Sequence, residues 1–128
     1  MIWPFLLMVL IFVLSGIHGD AGLDGFNLVT GIDPALQNTL HVPLYATLQI
    51  LWLRALTRFG WTIKKTVLAG LLLAFGYSIL DEIHQGFVPG RYASIMDVGL
   101  NLMGCLLGSM IWLFITTRKR SKTTEEIS

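Results

Sequence analysis

Apolar residues gather into four runs, at residues 2–17, 42–56, 67–80 and 98–117, with polar stretches between them. A bilayer core takes roughly 20 helical residues. The second and third runs fall short of that on apolar residues alone, so their polar ends must lie in the interface or face protein. The pattern predicts an all-α, integral membrane four-helix bundle. The first run has the length of a signal peptide. It lacks a basic leading segment and a clear small-residue cleavage site, so it reads as a retained helix with Trp3 as an interfacial anchor. The second helix is expected to carry Pro43 in its first turn, where the missing N–H costs nothing. Tyr45, Gln49 and Trp52 follow at helical spacing and read as a packed face. In the third run, Gly70 and Gly76 permit close helix approach.

The connections differ sharply in charge. Residues 16–39 are rich in Gly and Asp, with Asp20, Asp24 and Asp33 and no Lys or Arg. The aspartates lack the alternation of a calcium loop, and Asp33-Pro34 reads as a turn in a solvated loop. The second connection carries Arg54, Arg58, Lys64 and Lys65, and the tail carries Arg118, Lys119, Arg120 and Lys122. The positive-inside rule then places both termini in the cytoplasm, with four crossings. Residues 1–117 are read as one transmembrane domain and residues 118–128 as a charged, disordered cytoplasmic tail.

Composition agrees with this picture. The 128 residues are 54% hydrophobic and only 13% charged, with a mean hydropathy of +0.68 and a net charge of +1. A soluble domain carries about 25% charged residues. The basic clusters alone would suggest nucleic acid, but the runs between them are too apolar for a soluble binder. Cys105, the single cysteine, sits inside an apolar run and reads as a small buried hydrophobe.

Against this background, residues 80–108, LDEIHQGFVPGRYASIMDVGLNLMGCLLG, stand out. Polar groups at membrane depth are costly unless they pair, so they mark a candidate site. Asp81 and Gln85 are one turn apart and share a face, while Glu82 and His84 point elsewhere. At least one of Asp81 and Glu82 is expected to face the bundle. Asp97, Asn101, Gly104 and Gly108 form one stripe, the first two able to hydrogen-bond and the glycines suited to packing. Asp97 reads equally as a helix N-cap. Arg91 follows the Pro89-Gly90 reversal. It either clasps carboxylates of neighbouring helices or holds a phosphate or carboxylate of a ligand. Under the four-crossing topology, His41, Asp81, Glu82, Gln85, Arg91, Asp97 and Asn101 all lie toward the extracytoplasmic side. Asp81, Glu82, His84, Asp97 and His41 are types that ligate divalent ions. DEIH lacks zinc-site spacing, and neither a metal nor a cofactor is expected.

The run DEIHQGFVPGRYASIMDVGLNLMGCLLG resembles the VanZ-like membrane proteins, in which an acidic pair and Gln precede a P-G-R turn, then Asp, Asn and Gly on the last helix. Asp81, Glu82, Gln85, Pro89, Gly90, Arg91, Asp97, Asn101, Gly104 and Gly108 fit that pattern. Upstream, His41 and Tyr45 fit, whereas Gln37 and Asn38 stand where the family carries an Asp-Lys pair. The resemblance implies a small bacterial inner-membrane protein. The family's namesake is associated with resistance to the glycopeptide teicoplanin. Three functions follow as expectations. One is a module binding an anionic envelope lipid, a lipid-linked cell-wall precursor or a lipoglycopeptide at the outer leaflet. Another is an enzyme hydrolysing or transferring a phosphoryl or acyl group on such a lipid, through general acid–base chemistry. The third is a scaffold whose polar cluster staples helices together.

Overall fold

The computed structural model describes residues 1–16, 34–89 and 93–125, leaving aside the side chains of residues 34–38 and 119–125. The acidic loop with Asp20, Asp24 and Asp33, together with His18, Gly90 and Arg91, lies outside the described residues. The described residues form four α-helices: α1 (Ile2–Ser15), α2 (Pro34–Leu56), α3 (Ile63–Gln85) and α4 (Ile95–Glu125). A 3₁₀ turn, Thr57–Phe59, links α2 to α3 and closes on Gly60, whose φ of 65° suits a residue without a Cβ. Two of the helices, α3 and α4, are long and apolar enough to cross a membrane.

Helix directions follow from paired contacts. His41 meets Asn101, Tyr45 O meets Cys105 Sγ, and Gln49 meets Ser109. Each pair is 60 residues apart, and a constant offset means that α2 and α4 run parallel. Conversely, α3 and α1 run against them. Gly70 faces Gln49 and Leu53 while Asp81 faces Tyr45; Phe5 packs edge-on against Trp52 while Ser15 meets Asp81. The directions therefore alternate along the chain. One end gathers His41, Asp81 and Asn101, and the other gathers Arg54, Arg58 and the start of α3.

The most extensive contact in the molecule is between α2 and α4. A Cβ built on Gly104 would stand 2.5 Å from Val42 O, and one on Gly108 would stand 2.5 Å from Ala46 O. Those glycines let two backbones touch, as the spacing predicted. The core mixes apolar and polar side chains. Tyr45, Leu48, Leu53 and Cys105 are fully buried, but so are Gln49, Thr66, Ser78 and Asn101. Outward faces are the reverse: Val9 and Val13 on α1, Leu68 and Leu72 on α3, and Met110 and Phe114 on α4 are all exposed. An apolar exterior around a polar interior is what a hydrocarbon solvent favours.

Four local expectations require correction. Helix α2 begins at Pro34, so Pro43 lies inside it rather than in its first turn. The intrahelical bond that proline forfeits is tolerated where neighbouring helices support the segment. Residues 118–125 do not leave the helix, since α4 continues to Glu125. Arg and Lys are good helix formers, and extending an existing helix needs no new nucleus. Asp97 is not the N-cap of α4. Ser94 takes that place, accepting from Asp97 N at its carbonyl (3.1 Å) and at its hydroxyl (3.4 Å). Gly76, unlike Gly70, does not serve close approach, since a Cβ built there would meet no described atom within 4 Å. His84 stacks on Phe12 of α1, with ring centroids 4.2 Å apart.

Candidate functional site

The polar end of the molecule resolves into two groups. The first is centred on Asp81, which accepts from Ser15 Oγ at 2.6 Å, Gln85 Nε2 at 3.0 Å and Tyr45 OH at 3.4 Å. These donors come from α1, α3 and α2, so one carboxylate joins three helices. Asp81 and Gln85 share a face as their one-turn spacing requires, and both are buried. With three donors, Asp81 is a satisfied buried anion, which is the condition for tolerating one. Tyr77 OH adds a bond to Met8 O at 2.6 Å, tying α1 to α3 lower down.

The second group is not satisfied. Glu82 lies about 100° around α3 from Asp81. It too is buried, so both members of the acidic pair face protein. Its Oε1 accepts from Ser94 N at 2.6 Å, fastening the start of α4 to the end of α3. Its Oε2 has no partner among the described residues. Asp97 and Asn101, one turn apart on α4, are both buried as well. Asp97 Oδ1 and Asn101 Nδ2 likewise find no partner among the described residues. His41 Nδ1 lies 2.9 Å from Asn101 Oδ1 and donates to it when that nitrogen carries the proton. Either orientation of the amide leaves one polar end of Asn101 over. Glu82 is within electrostatic range of Asp97, His41 and Asp81.

Three buried polar atoms thus have no partner among the described residues, on two helices and beside a half-buried imidazole; three more, Gln49 Oε1, Trp52 Nε1 and Thr66 Oγ1, lie deeper in the bundle. A native interior leaves few such atoms, and each costs about 1–3 kcal/mol. Two of the first three are carboxylate oxygens that accept, and the third is an amide nitrogen that donates. The group is therefore complementary to a partner offering mainly O–H or N–H donors.

Of the residues singled out from sequence, His41, Asp81, Glu82, Gln85, Asp97 and Asn101 come together at this end. Arg91 lies outside the described residues. Gly104 and Gly108 serve packing, one and two turns below Asn101. Sequence reasoning missed Ser15, Ser94 and the role of the Tyr45 hydroxyl. Ser15 was the most legible of these, as a hydroxyl near the end of an otherwise apolar run.

Searches of curated proteins and of solved structures find no match. The family model described as VanZ/LLP1 matches residues 2–116, which take in α1, α2, α3 and most of α4. With the acidic pair, the aspartate–asparagine stripe and the glycine ladder in the positions described above, this chain belongs to the VanZ/LLP1 family.

Proposed function

We propose that the protein is a multi-pass module of the bacterial inner membrane that binds the headgroup of an envelope ligand at the outer leaflet. In this reading all four helices span the bilayer as one bundle, covering residues 1–117, and both termini lie in the cytoplasm. The segregation of Arg54, Arg58, Lys64 and Lys65 to one end supports that orientation. The alternating helix directions and the apolar exterior support the spanning arrangement.

The observation that carries the binding reading is the trio of Glu82 Oε2, Asp97 Oδ1 and Asn101 Nδ2, buried and without a partner among the described residues. The ligand's sugar hydroxyls or peptide amides donate to the two carboxylates. Asn101 donates to a ligand oxygen, with His41 fixing the amide. Arg91, which follows α3 in the sequence, holds an anionic group of the same molecule. A lipid-linked cell-wall precursor and a lipoglycopeptide such as teicoplanin carry both kinds of group. The Asp81 set plays a separate structural part, stapling α1, α2 and α3 so that the second group keeps its shape.

The test uses full-length protein in lipid nanodiscs and measures binding of teicoplanin and of a lipid-linked disaccharide-pentapeptide. Glu82→Gln and Asp97→Asn should each weaken binding about tenfold or more, since a hydrogen bond to a charged group contributes roughly 1.5–3 kcal/mol. Wild-type affinity in both variants would sink the reading. Mass spectrometry of the recovered ligand separates binding from turnover, and a new product would move the assignment to a lipid hydrolase or transferase.

A further inference from the structure

The opposite end of the molecule holds a feature that the polar group does not use. Between the start of α1 and the last turn of α2 lies an open groove of about 590 Å³. Trp3, Pro4, Leu51 and Ala55 line one part of it, and Arg54 and Arg58 line another. The two arginines are four residues apart, across the end of α2 and the 3₁₀ turn, so both guanidiniums serve one side. Among the described residues, no carboxylate lines the groove. The Thr57 hydroxyl is already engaged, donating to Arg54 O at 2.8 Å. Two like charges in one concavity repel each other unless an anion lies between them. Guanidinium forks match the oxygens of a phosphate.

The surroundings fix the depth of the groove. Trp3 and Trp61 are exposed at this end, and Lys65 Nζ stands 4.4 Å from the centre of the Trp61 ring. Exposed tryptophans beside lysines mark the height of lipid headgroups. The occupant is therefore amphiphilic, with an anionic head at Arg54 and Arg58 and an apolar chain over Trp3 and Leu51. We propose that this groove binds the phosphate headgroup of an anionic glycerophospholipid from the surrounding monolayer. The inference rests on the membrane-spanning reading above, with this end in the cytoplasmic leaflet.

Full-length protein is reconstituted in nanodiscs of equimolar phosphatidylglycerol and phosphatidylcholine, and the lipids retained on release are counted by native mass spectrometry. The wild type should keep phosphatidylglycerol in preference. Arg54→Gln and Arg58→Gln should each lower that preference about fivefold, and the double variant should abolish it. Both side chains are exposed, and circular dichroism should show unchanged helix content. Equal retention of the two lipids by the wild type, or an undiminished preference in the double variant, overturns the proposal. Excess inorganic phosphate should leave the retained lipid in place; displacement would assign the arginines to free phosphate and overturn it too. Carbonate-washed vesicles read the underlying assumption separately. Protein that washes off overturns the spanning reading, whereas protein that stays in the membrane without lipid preference overturns the groove alone.

Discussion

Adjacent acids with opposite situations are the residue-scale result. Asp81 has three donors, so Asp81→Ala takes the acceptor from the Tyr45 hydroxyl and the Gln85 amide, while Ser15 Oγ keeps its bond within α1, to Phe12 O. Each buried donor left unpaired costs about 1–3 kcal/mol, and the substitution should lower the unfolding temperature in detergent by many degrees. Asp97→Asn removes a charge whose Oδ1 has no partner among the described residues, and should leave that temperature unchanged or raise it. Similar losses in both variants would contradict the division of labour drawn here. The one-turn spacing of Asp81 and Gln85 was readable directly from the chain, as was that of Asp97 and Asn101. The division between satisfied and unsatisfied carboxylates was not. It depends on Ser15, Tyr45 and Ser94, which lie far off in sequence or act through backbone.

At the scale of elements, the glycines on α4 separate packing from propensity. Gly104→Ala and Gly108→Ala would push a methyl into the backbone of α2, and each should cost about 1–3 kcal/mol. Gly99→Ala on the same helix meets nothing within 4 Å and should be neutral or stabilising by up to about 1 kcal/mol. Chemical unfolding in mixed micelles compares the three directly. Loss of stability in Gly99→Ala alone would refute this account of the stripe. Here the sequence was a good guide, because spacings of four and three describe a helix face whatever packs on it. It was a poor guide to ends. Apolar runs stop where side chains turn polar, whereas helices stop where backbone hydrogen bonding does. Pro34 therefore opens α2 well before the apolar run begins, and α4 carries its basic residues as helix.

For the whole molecule, topology is the claim most open to direct measurement. Phe87 lies just past the end of α3 and is highly exposed, while Thr62 caps the start of the same helix. With Cys105 replaced by Ser, a cysteine substituted for Phe87 should react with an impermeant maleimide on intact spheroplasts. One substituted for Thr62 should react only after permeabilisation. The reverse pattern would invert the proposed orientation. Alternating direction was legible from the counted runs and the segregation of charge. The parallel pairing of α2 with α4 was not, since no local signal ties His41 to a residue 60 positions on. That offset has a consequence for synthesis. Helix α3 must cross back before α4 can settle against α2, so Asn101 joins His41 only when the final helix emerges. A nascent chain lacking that helix leaves the α2 face of Val42, Tyr45, Ala46 and Gln49 uncovered. On the binding reading proposed above, the polar end becomes competent only once α4 is made, and termination upstream of Asp97 removes two of the three atoms that carry that reading.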